Sequence, residues 1–177
     1  MAVIKRKGFG QVEPNHMSAQ RTGQIYAQLI ANKDIQLIEN GQFMKYDYAK
    51  RETSFDGDVD GEWLLVYNEE KLYDPRKQSH KDWAMKKEDY VDGEMTPRLF
   101  KTNVGDIYTT NTLEANTSDT AVTEGVTVNL NDKLTPGANG YLKIYQAAQD
   151  AGKPVFKVVA ITTMADMQDA VKLQRIA

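Results

Sequence analysis

The sequence predicts a mainly β protein: an antiparallel β-barrel or sandwich body with an extended N-terminal arm and at most one or two short helices. Three observations lead to this fold class. They are a turn signal at Asn40-Gly41, an unbroken apolar run over 63–67, and short strand-like runs at close spacing after Met95. Nine tyrosines and a threonine-rich stretch over 108–127 add residue types that are enriched in strands.

The turn signal predicts a β-hairpin. Two strand-like runs, 35–39 and 42–48, flank Asn40 and Gly41. Two connecting residues of the Asn-Gly type favour a tight turn, because both turn positions then need positive φ. The run 61–67 predicts the next strand, and its continuous apolar part indicates burial on both faces.

The second half of the chain carries a series of short strand-like runs. They cover 98–102, 107–113, 125–130, 155–161 and 170–176. Short strands separated by Gly, Asn and Asp favour a sandwich or barrel over alternating strands and helices. One helical pattern interrupts the series over 141–151, and Gly152 with Pro154 gives it a plausible stop. The residues that share one face of this predicted helix are Leu142, Tyr145, Ala148 and Ala151.

These patterns divide the chain into three predicted segments. An extended N-terminal arm covers 1–31, a hairpin-containing subdomain covers 32–95, and a barrel or sandwich subdomain covers 96–177. The arm begins with basic residues and is interrupted by Gly10 and Pro14, so it cannot bury a face of its own. We therefore expect it to gain order from a neighbouring molecule.

The predicted arm supplies the candidate residues for binding a partner. Its three consecutive basic residues, 5–7, are too few for stable nucleic-acid binding at physiological salt, so they favour contact with a protein. Such an arm binds by adding a strand to a neighbour or by filling a groove. The candidate partner-binding residues are Lys5, Arg6, Phe9, Arg21, Ile25, Tyr26 and Leu29.

The composition argues against several classes of function. The chain has 177 residues, 22 of them basic and 25 acidic, and its formal charge of −3 argues against a global electrostatic grip on nucleic acid or an anionic membrane. Cysteine is absent, which excludes disulfides, thiolate zinc sites and a cysteine nucleophile. No apolar run approaches the roughly 20 residues of a membrane span. We expect a soluble protein that is made in the cytoplasm.

The segment Asp56-Gly-Asp-Val-Asp-Gly-Glu62 is the sharpest candidate for a metal site. Its aspartates and Gly61 match the first half of a calcium loop, in which carboxylates at alternate positions converge. The second half does not match, because the position of the bidentate glutamate is Tyr67, inside a predicted strand. A solvated acidic turn is the preferred interpretation. The weak calcium candidates are Asp56, Asp58, Asp60 and Glu62.

No catalytic or cofactor-binding group emerges from the rest of the sequence. His16 and His80 stand in polar surroundings without a metal-ligand spacing, and there is no nucleophile motif such as GxSxG. The paired carboxylates at 69–70, 88–89 and 92–94 lack an apolar flank that would raise a pKa for acid–base chemistry. We expect a protein that is not an enzyme and has no cofactor.

Five stretches spread over most of the chain carry a family resemblance. They are GFGQ at 8–11, SAQRTGQIYAQL at 18–29, ENGQF at 39–43, GEWLLVYNE at 61–69 and PRLFKTNVGDIYTTN at 97–111. In these stretches the chain resembles accessory proteins of tailed-phage heads, of the capsid decoration or cement type.

The resemblance implies a structural role in a virion. Proteins of this type bind the outer surface of the lattice formed by the major capsid protein, usually as trimers or at local symmetry axes, and resist the pressure of packaged DNA. The resemblance therefore implies a homo-oligomer, with a trimer favoured, located on the capsid surface after assembly in the host cytoplasm. It implies no direct contact with nucleic acid or membrane.

Two alternative functions stay open. One is another virion component, such as a head–tail connector, head fibre or tail protein, which a low copy number per particle would distinguish. The other is a calcium- or carbohydrate-binding module, suggested by the acidic turn and by three aromatic residues expected to be exposed, Trp63, Trp83 and Tyr90.

Overall fold

A computed structural model describes residues 2–6, 8–16, 25–26, 29–68, 84–114 and 126–177. Within these ranges the protein is mainly β, with antiparallel sheets of which one curls into a half-barrel, and the predicted fold class is confirmed. Two short 3-10 helices, Lys87–Asp89 and Val91–Gly93, are the helical elements of this part of the chain.

The strands are named in chain order. They are β1 (Ala2–Ile4), β2 (Val12–His16), β3 (Ile25–Tyr26), β4 (Ile30–Ala31), β5 (Leu37–Glu39), β6 (Phe43–Asp47), β7 (Glu52–Ser54), β8 (Leu64–Val66), β9 (Ala84–Lys86), β10 (Leu99–Phe100), β11 (Ile107–Thr110), β12 (Val126–Val128), β13 (Lys133–Pro136), β14 (Leu142–Ile144), β15 (Phe156–Thr163) and β16 (Asp169–Arg175).

Two six-stranded sheets form the body. The first has the order β3-β10-β8-β6-β7-β4, and the second has the order β14-β13-β15-β16-β11-β2. Two smaller sheets pair β1 with β12 and β5 with β9. The pairing is antiparallel apart from β4 and β7, which run parallel. In these orders, strands that are close in sequence are often not neighbours in a sheet.

The strand β8 lies between two hydrophobic cores. Leu65 belongs to the first core, which contains buried apolar side chains of the second sheet and also Phe43 on β6. Leu64 and Val66 belong to the second core. Successive side chains of a strand point to opposite faces, so a strand with a core on each side needs a continuous apolar run. The prediction that the run 63–67 is buried on both faces is confirmed for Leu64, Leu65 and Val66, whereas Trp63 and Tyr67 at its ends are partly buried.

The predicted hairpin at Asn40-Gly41 is wrong, although the turn is present. β5 pairs with β9, and β6 pairs with β7 and β8, so the two runs do not pair with each other. Gly41 alone of the two turn residues has positive φ, at 90°. The Asn40 side chain instead accepts a hydrogen bond from the N–H of Asn68 (2.7 Å) and donates one to its carbonyl oxygen (3.3 Å). The turn thus passes the chain from one sheet to another.

The short strands after Met95 are confirmed, and the predicted helix over 141–151 is wrong. Residues 142–144 form β14, which pairs with β13, and turns follow. Of the predicted helical face, only Leu142 is buried. Gly140 explains why no helix forms here. It has a φ of 74°, and its carbonyl oxygen accepts a hydrogen bond from the Phe43 N–H (2.8 Å), so the chain that leads into residue 141 is held against β6. A Cβ at this position would lie 2.3 Å from the Phe43 carbonyl oxygen, which only glycine avoids.

The N-terminal segment is extended, as predicted, but it finds its partner strands within the same chain. β1 pairs with β12, and β2 forms an edge of the second sheet beside β11. Ile4 and Val12 are buried in the first core, so this segment does bury apolar side chains of its own. The expectation that residues 2–6 and 8–16 depend on a neighbouring molecule is therefore corrected.

Strands also cross the two predicted segment boundaries. β2 precedes residue 32 but completes the sheet that residues 96–177 build. β10 follows residue 95 but pairs with β8 and β3 in the other sheet. The two cores thus depend on pairing between residues that are distant in sequence.

Candidate functional site

The main chain of the acidic loop from Asp56 to Glu62 binds the ammonium group of Lys45. Lys45 lies on β6, is 7% exposed, and donates hydrogen bonds from Nζ to the carbonyl oxygens of Asp58 and Val59, both at 3.0 Å. Burial lowers the pKa of Lys45, and the nearby charges of Asp58 and Asp60 oppose this effect. Main-chain oxygens that could face a calcium ion in such a loop instead face an ammonium group.

The carboxylates of the loop are directed to separate internal bonds. Asp56 accepts hydrogen bonds from the Ser54 hydroxyl (2.7 Å) and the Gly57 N–H (3.1 Å). Glu62 forms an exposed ion pair with Lys101 at 2.9 Å. Within the described residues there is no group of three acidic or histidine side chains that could hold a metal ion. The four weak calcium candidates therefore do not converge on a common point.

Replacing Lys45 with methionine tests this assignment. We expect a loss of about 1–2 kcal/mol in the free energy of unfolding, because two hydrogen bonds from a charged donor are removed while the freed carbonyls lie in an exposed loop. Hydrogen exchange of residues 57–61 should also become faster. Titration calorimetry of the unaltered protein with calcium chloride should give no binding heat, and a saturable heat below millimolar calcium would contradict the assignment.

The aromatic residues that suggested a carbohydrate site are not arranged as an open platform. Trp63 is half-buried, with Lys45 Nζ 5.0 Å and Lys153 Nζ 5.9 Å from its ring centroid. Tyr90 packs partly buried against the second core. Trp83 lies outside the described residues. Because two ammonium groups already contact the indole, stacking of a sugar on Trp63 has little support.

A buried carboxylate, Asp150, holds the turn after β14. It accepts hydrogen bonds from Lys143 Nζ (2.9 Å), Lys153 Nζ (2.9 Å) and the Gln146 N–H (3.0 Å), and its side chain is 1% exposed. Burial by itself raises the pKa of Asp150, but these hydrogen bonds outweigh it and lower the pKa to about 2. The group is a structural anchor with no open face toward solvent.

This anchor predicts a specific acid sensitivity. Because the pKa of Asp150 is lower in the folded state than its ordinary value of 3.8, its contribution is fully present above about pH 4 and is lost as the pH falls toward 2. The lost stability should be about 2 kcal/mol. Urea unfolding between about pH 5 and pH 2 measures it. Asp150→Asn should show a correspondingly shallower pH dependence, and an unchanged slope would contradict the assignment.

A second buried ionic cluster fastens the N-terminal segment to the body. Arg6 Nη2 lies 3.0 Å from Glu39 Oε2, and their side chains are 6% and 3% exposed. The Tyr141 hydroxyl donates a hydrogen bond to the same oxygen at 2.7 Å, and the Arg6 guanidinium lies 5.6 Å from the Tyr141 ring centroid. Burial, followed by the charge of Glu39, raises the pKa of Tyr141. Arg6 therefore acts inside the protein, and its predicted role in binding a partner is corrected.

The other predicted partner-binding residues lie in different elements, as far as the structure describes them. Lys5 is exposed, Phe9 is partly buried with Lys86 Nζ 5.2 Å from its ring centroid, and Leu29 packs against the second core. Ile25 and Tyr26 form β3, whose backbone pairs with β10. Arg21 lies outside the described residues.

The structure describes some of the remaining titratable candidates. The backbone of His16 pairs with Ile107 in the second sheet. His80 and the pair 69–70 lie outside the described residues. The carboxylates at 88–89 and those of Asp92 and Glu94 are exposed on and beside the 3-10 helices. These carboxylates form a solvated acidic surface.

Two open grooves are present in the described part of the chain. The larger, of about 490 Å³, lies between residues 32–37, 54–56 and 138–139. The smaller, of about 210 Å³, lies beside Trp63, Lys153 and Arg175. The larger groove is lined by Ser54 and Asp56, whose hydroxyl and carboxylate are hydrogen-bonded at 2.7 Å. This hydrogen bond lowers the pKa of the exposed Asp56, which makes the carboxylate a poor general base. The smaller groove is lined by no serine, threonine or histidine.

Sequence reasoning missed the buried charges that organise the fold. Lys45, Glu39 and Tyr141 were not singled out, because each finds its partners through contacts distant in sequence. Asp150 was missed for another reason: its partners lie within seven positions, in and just after a segment that was predicted to be a helix. The one local signal was Lys45, a lysine inside the strand-like run 42–48. A charged side chain within such a run indicates a buried partner.

No helix among the described residues has the length and apolar character needed to cross a membrane. Comparisons of the chain with protein-family models, with curated proteins and with solved structures gave no match.

Proposed function

We propose that this chain is a structural, non-catalytic virion protein that binds and stabilises the outer surface of a phage capsid. The resemblance of its five stretches to decoration and cement proteins supports the proposal. Its expected partner is the major capsid protein, and its expected location is the capsid surface.

The observation that carries the non-catalytic part is how its buried charges are used. Lys45, Arg6 with Glu39, and Asp150 each bond to groups of the protein itself, and none of them faces either groove. Catalytic acids and bases are instead kept available to a substrate in a cleft. Because the buried charged groups of this protein stabilise its own fold, we expect it to function by binding a partner at its surface.

Surface binding in many copies fits this architecture. A β body with two hydrophobic cores, as the described residues form it, can present fixed contacts to a lattice. Individually weak contacts become effective when many copies bind one shell. Oligomerisation, with the trimer favoured by the resemblance, would raise the number of contacts further.

Co-sedimentation with capsids tests the proposal. Purified protein is mixed with expanded capsids that lack it, and bound copies are counted after gradient centrifugation. Saturation at one copy or one oligomer per lattice position is expected. Deletion of residues 1–31 is not a useful variant, because it removes β1 to β4 and the buried Ile4 and Val12. Absence of binding would overturn the proposal, and binding of a dozen or fewer copies would indicate a vertex or tail component instead.

A further inference from the structure

The outer edge of β15 is unpaired over its second half within the described residues. At its start, β15 pairs with β13 on one side and β16 on the other. The last backbone bonds on the β13 side join Val158 to Asn131 and Asp132, at 2.9 Å each. From residue 160 to 163 the strand pairs with β16 alone, and the register of this pairing shifts at Val159, between Val158 and Ala160. Alternate N–H and C=O groups of this stretch therefore face away from the sheet.

The composition of this edge favours strand addition. Residues 159–163 read Val-Ala-Ile-Thr-Thr, with no charge, proline or glycine. Natural edge strands are usually protected by lysine, proline, a β-bulge, shortness or a covering loop, and of these β15 has only an irregularity at Val159 within the described residues. β15 contains eight residues, more than any other described strand, and Ile161 near its end is 43% exposed. An edge of this kind is suited to receive another strand.

Exposed apolar side chains follow the same edge from one end to the other. Leu130, 55% exposed, precedes the residue that bonds to Val158 at the start of the free edge. Ile161 lies in its middle. Met167, 77% exposed, lies in the turn that joins β15 to β16. An antiparallel second copy of this edge places Met167 of one copy near Leu130 of the other, twice, with Ile161 opposite its own counterpart.

The two ends of this edge differ in net charge, and each also carries one charge of the other sign: Asp132 beside Lys133 at the start, and Lys5, whose N–H donates to Asp169, at the far end. Lys133 and Lys157 face each other across β13 and β15 at its start. The opposite end carries three acidic residues in the hairpin turn and beside it, Glu13, Asp166 and Asp169. An antiparallel pair of identical edges therefore brings the basic end of each copy to the acidic end of the other, whereas a parallel pair would place like charges together.

We propose that the free edge of β15 binds the same edge of a second copy of this chain, antiparallel and about a two-fold axis close to Ile161. The sheets that contain β15 in the two copies then join into one continuous sheet across the contact. The interface is isologous, so each apolar and charged contact occurs twice. This contact predicts a dimer in place of the trimer that the family resemblance implies. It does not depend on capsid binding, because it is a property of the free protein.

Cysteine cross-linking tests the position of the axis. The chain has no cysteine, so Ile161→Cys introduces a single thiol. Directly opposed residues of an antiparallel pair have Cβ atoms roughly 4.5–5.5 Å apart, close enough for a disulfide after small adjustments. Mild oxidation should give a covalent dimer of Ile161→Cys. Val91→Cys is the matched control, because Val91 is 86% exposed on a 3-10 helix away from this edge, and it should stay monomeric on a denaturing gel.

Sedimentation equilibrium tests the contact itself. The unaltered protein should be a dimer, and Ile161→Lys should raise the dissociation constant at least about tenfold, because two lysines would meet at the axis. Val91→Lys adds the same charge elsewhere and should leave the dimer intact. Circular dichroism should show all variants folded. A monomeric unaltered protein, a dimer equally stable in Ile161→Lys, or a dimer that Ile161→Cys fails to cross-link would each overturn the proposal.

Discussion

Replacing Phe156 with alanine is expected to lower the free energy of unfolding by about 3–5 kcal/mol. Phe156 is fully buried on β15, with its ring centroid 5.2 Å from that of Phe43 and 5.6 Å from that of Tyr108. Phe43 belongs to the first sheet and Tyr108 to the second, so the ring joins the two sheets. Its removal leaves a cavity at a point where neither sheet can close it without moving the other.

Thermal and urea unfolding measure this effect. For a chain of this size the expected loss corresponds to a fall in melting temperature of roughly 6–20 °C. Tyr48→Ala is the matched control, because it removes an aromatic ring that is 65% exposed, and it should cost much less. If both variants lost the same stability, Phe156 would not join the two sheets as described.

Replacing Glu39 with leucine is expected to cost about 3–5 kcal/mol, because it leaves the Arg6 charge buried without its partner. The Arg6 Nε and Nη1 atoms have no hydrogen-bond partner among the described groups, so Glu39 and the Tyr141 ring provide the compensation for this charge. The Tyr141 hydroxyl would lose its acceptor as well. The N-terminal segment should become the first part of the protein to exchange its amide hydrogens.

A double-mutant cycle separates the pair from its surroundings. Arg6→Met with Glu39→Leu removes both charges, and its cost should be well below the sum of the two single changes. The exposed pair of Glu62 and Lys101 is the control, where Lys101→Ala should change stability by no more than about 1 kcal/mol. Additive effects of Arg6→Met and Glu39→Leu would show that the two side chains do not act as a pair.

The features that sequence predicted correctly were local in origin. The run 63–67 indicated a strand buried on both faces, and β8 lies between two cores for that reason. The strands after Met95 followed from β-branched residues between turn-forming ones, and β10, β11, β12, β15 and β16 confirm them. In each case the pattern within a few residues was sufficient.

The features that sequence predicted wrongly depend on partners elsewhere in the chain. Asn40 and Gly41 form a turn, but which strands then pair is decided by β8 and β9, not by the turn. The helical spacing of Leu142 and Tyr145 was coincidental, because Gly140 fixes the chain against Phe43. Arg6 looked like a free basic residue since its partner, Glu39, is 33 positions away.

The candidate sites show the same division. The acidic residues from 56 to 62 were visible as a loop, but the lysine that fills it comes from β6. The edge of β15 was visible only as a strand. Among the described residues β15 has one partner strand beyond Val158 instead of two, and this follows from the order of strands in the sheet, which no local pattern reports.

The central claim, that this chain coats a capsid, is tested most directly by counting its copies in purified virions. Quantitative mass spectrometry against the major capsid protein gives the ratio, and cryo-electron microscopy gives the position. The proposal predicts hundreds of copies per particle, repeated over the outer surface in register with the lattice. A chain that is absent from the particle, or present in a dozen copies or fewer at one vertex, would contradict it.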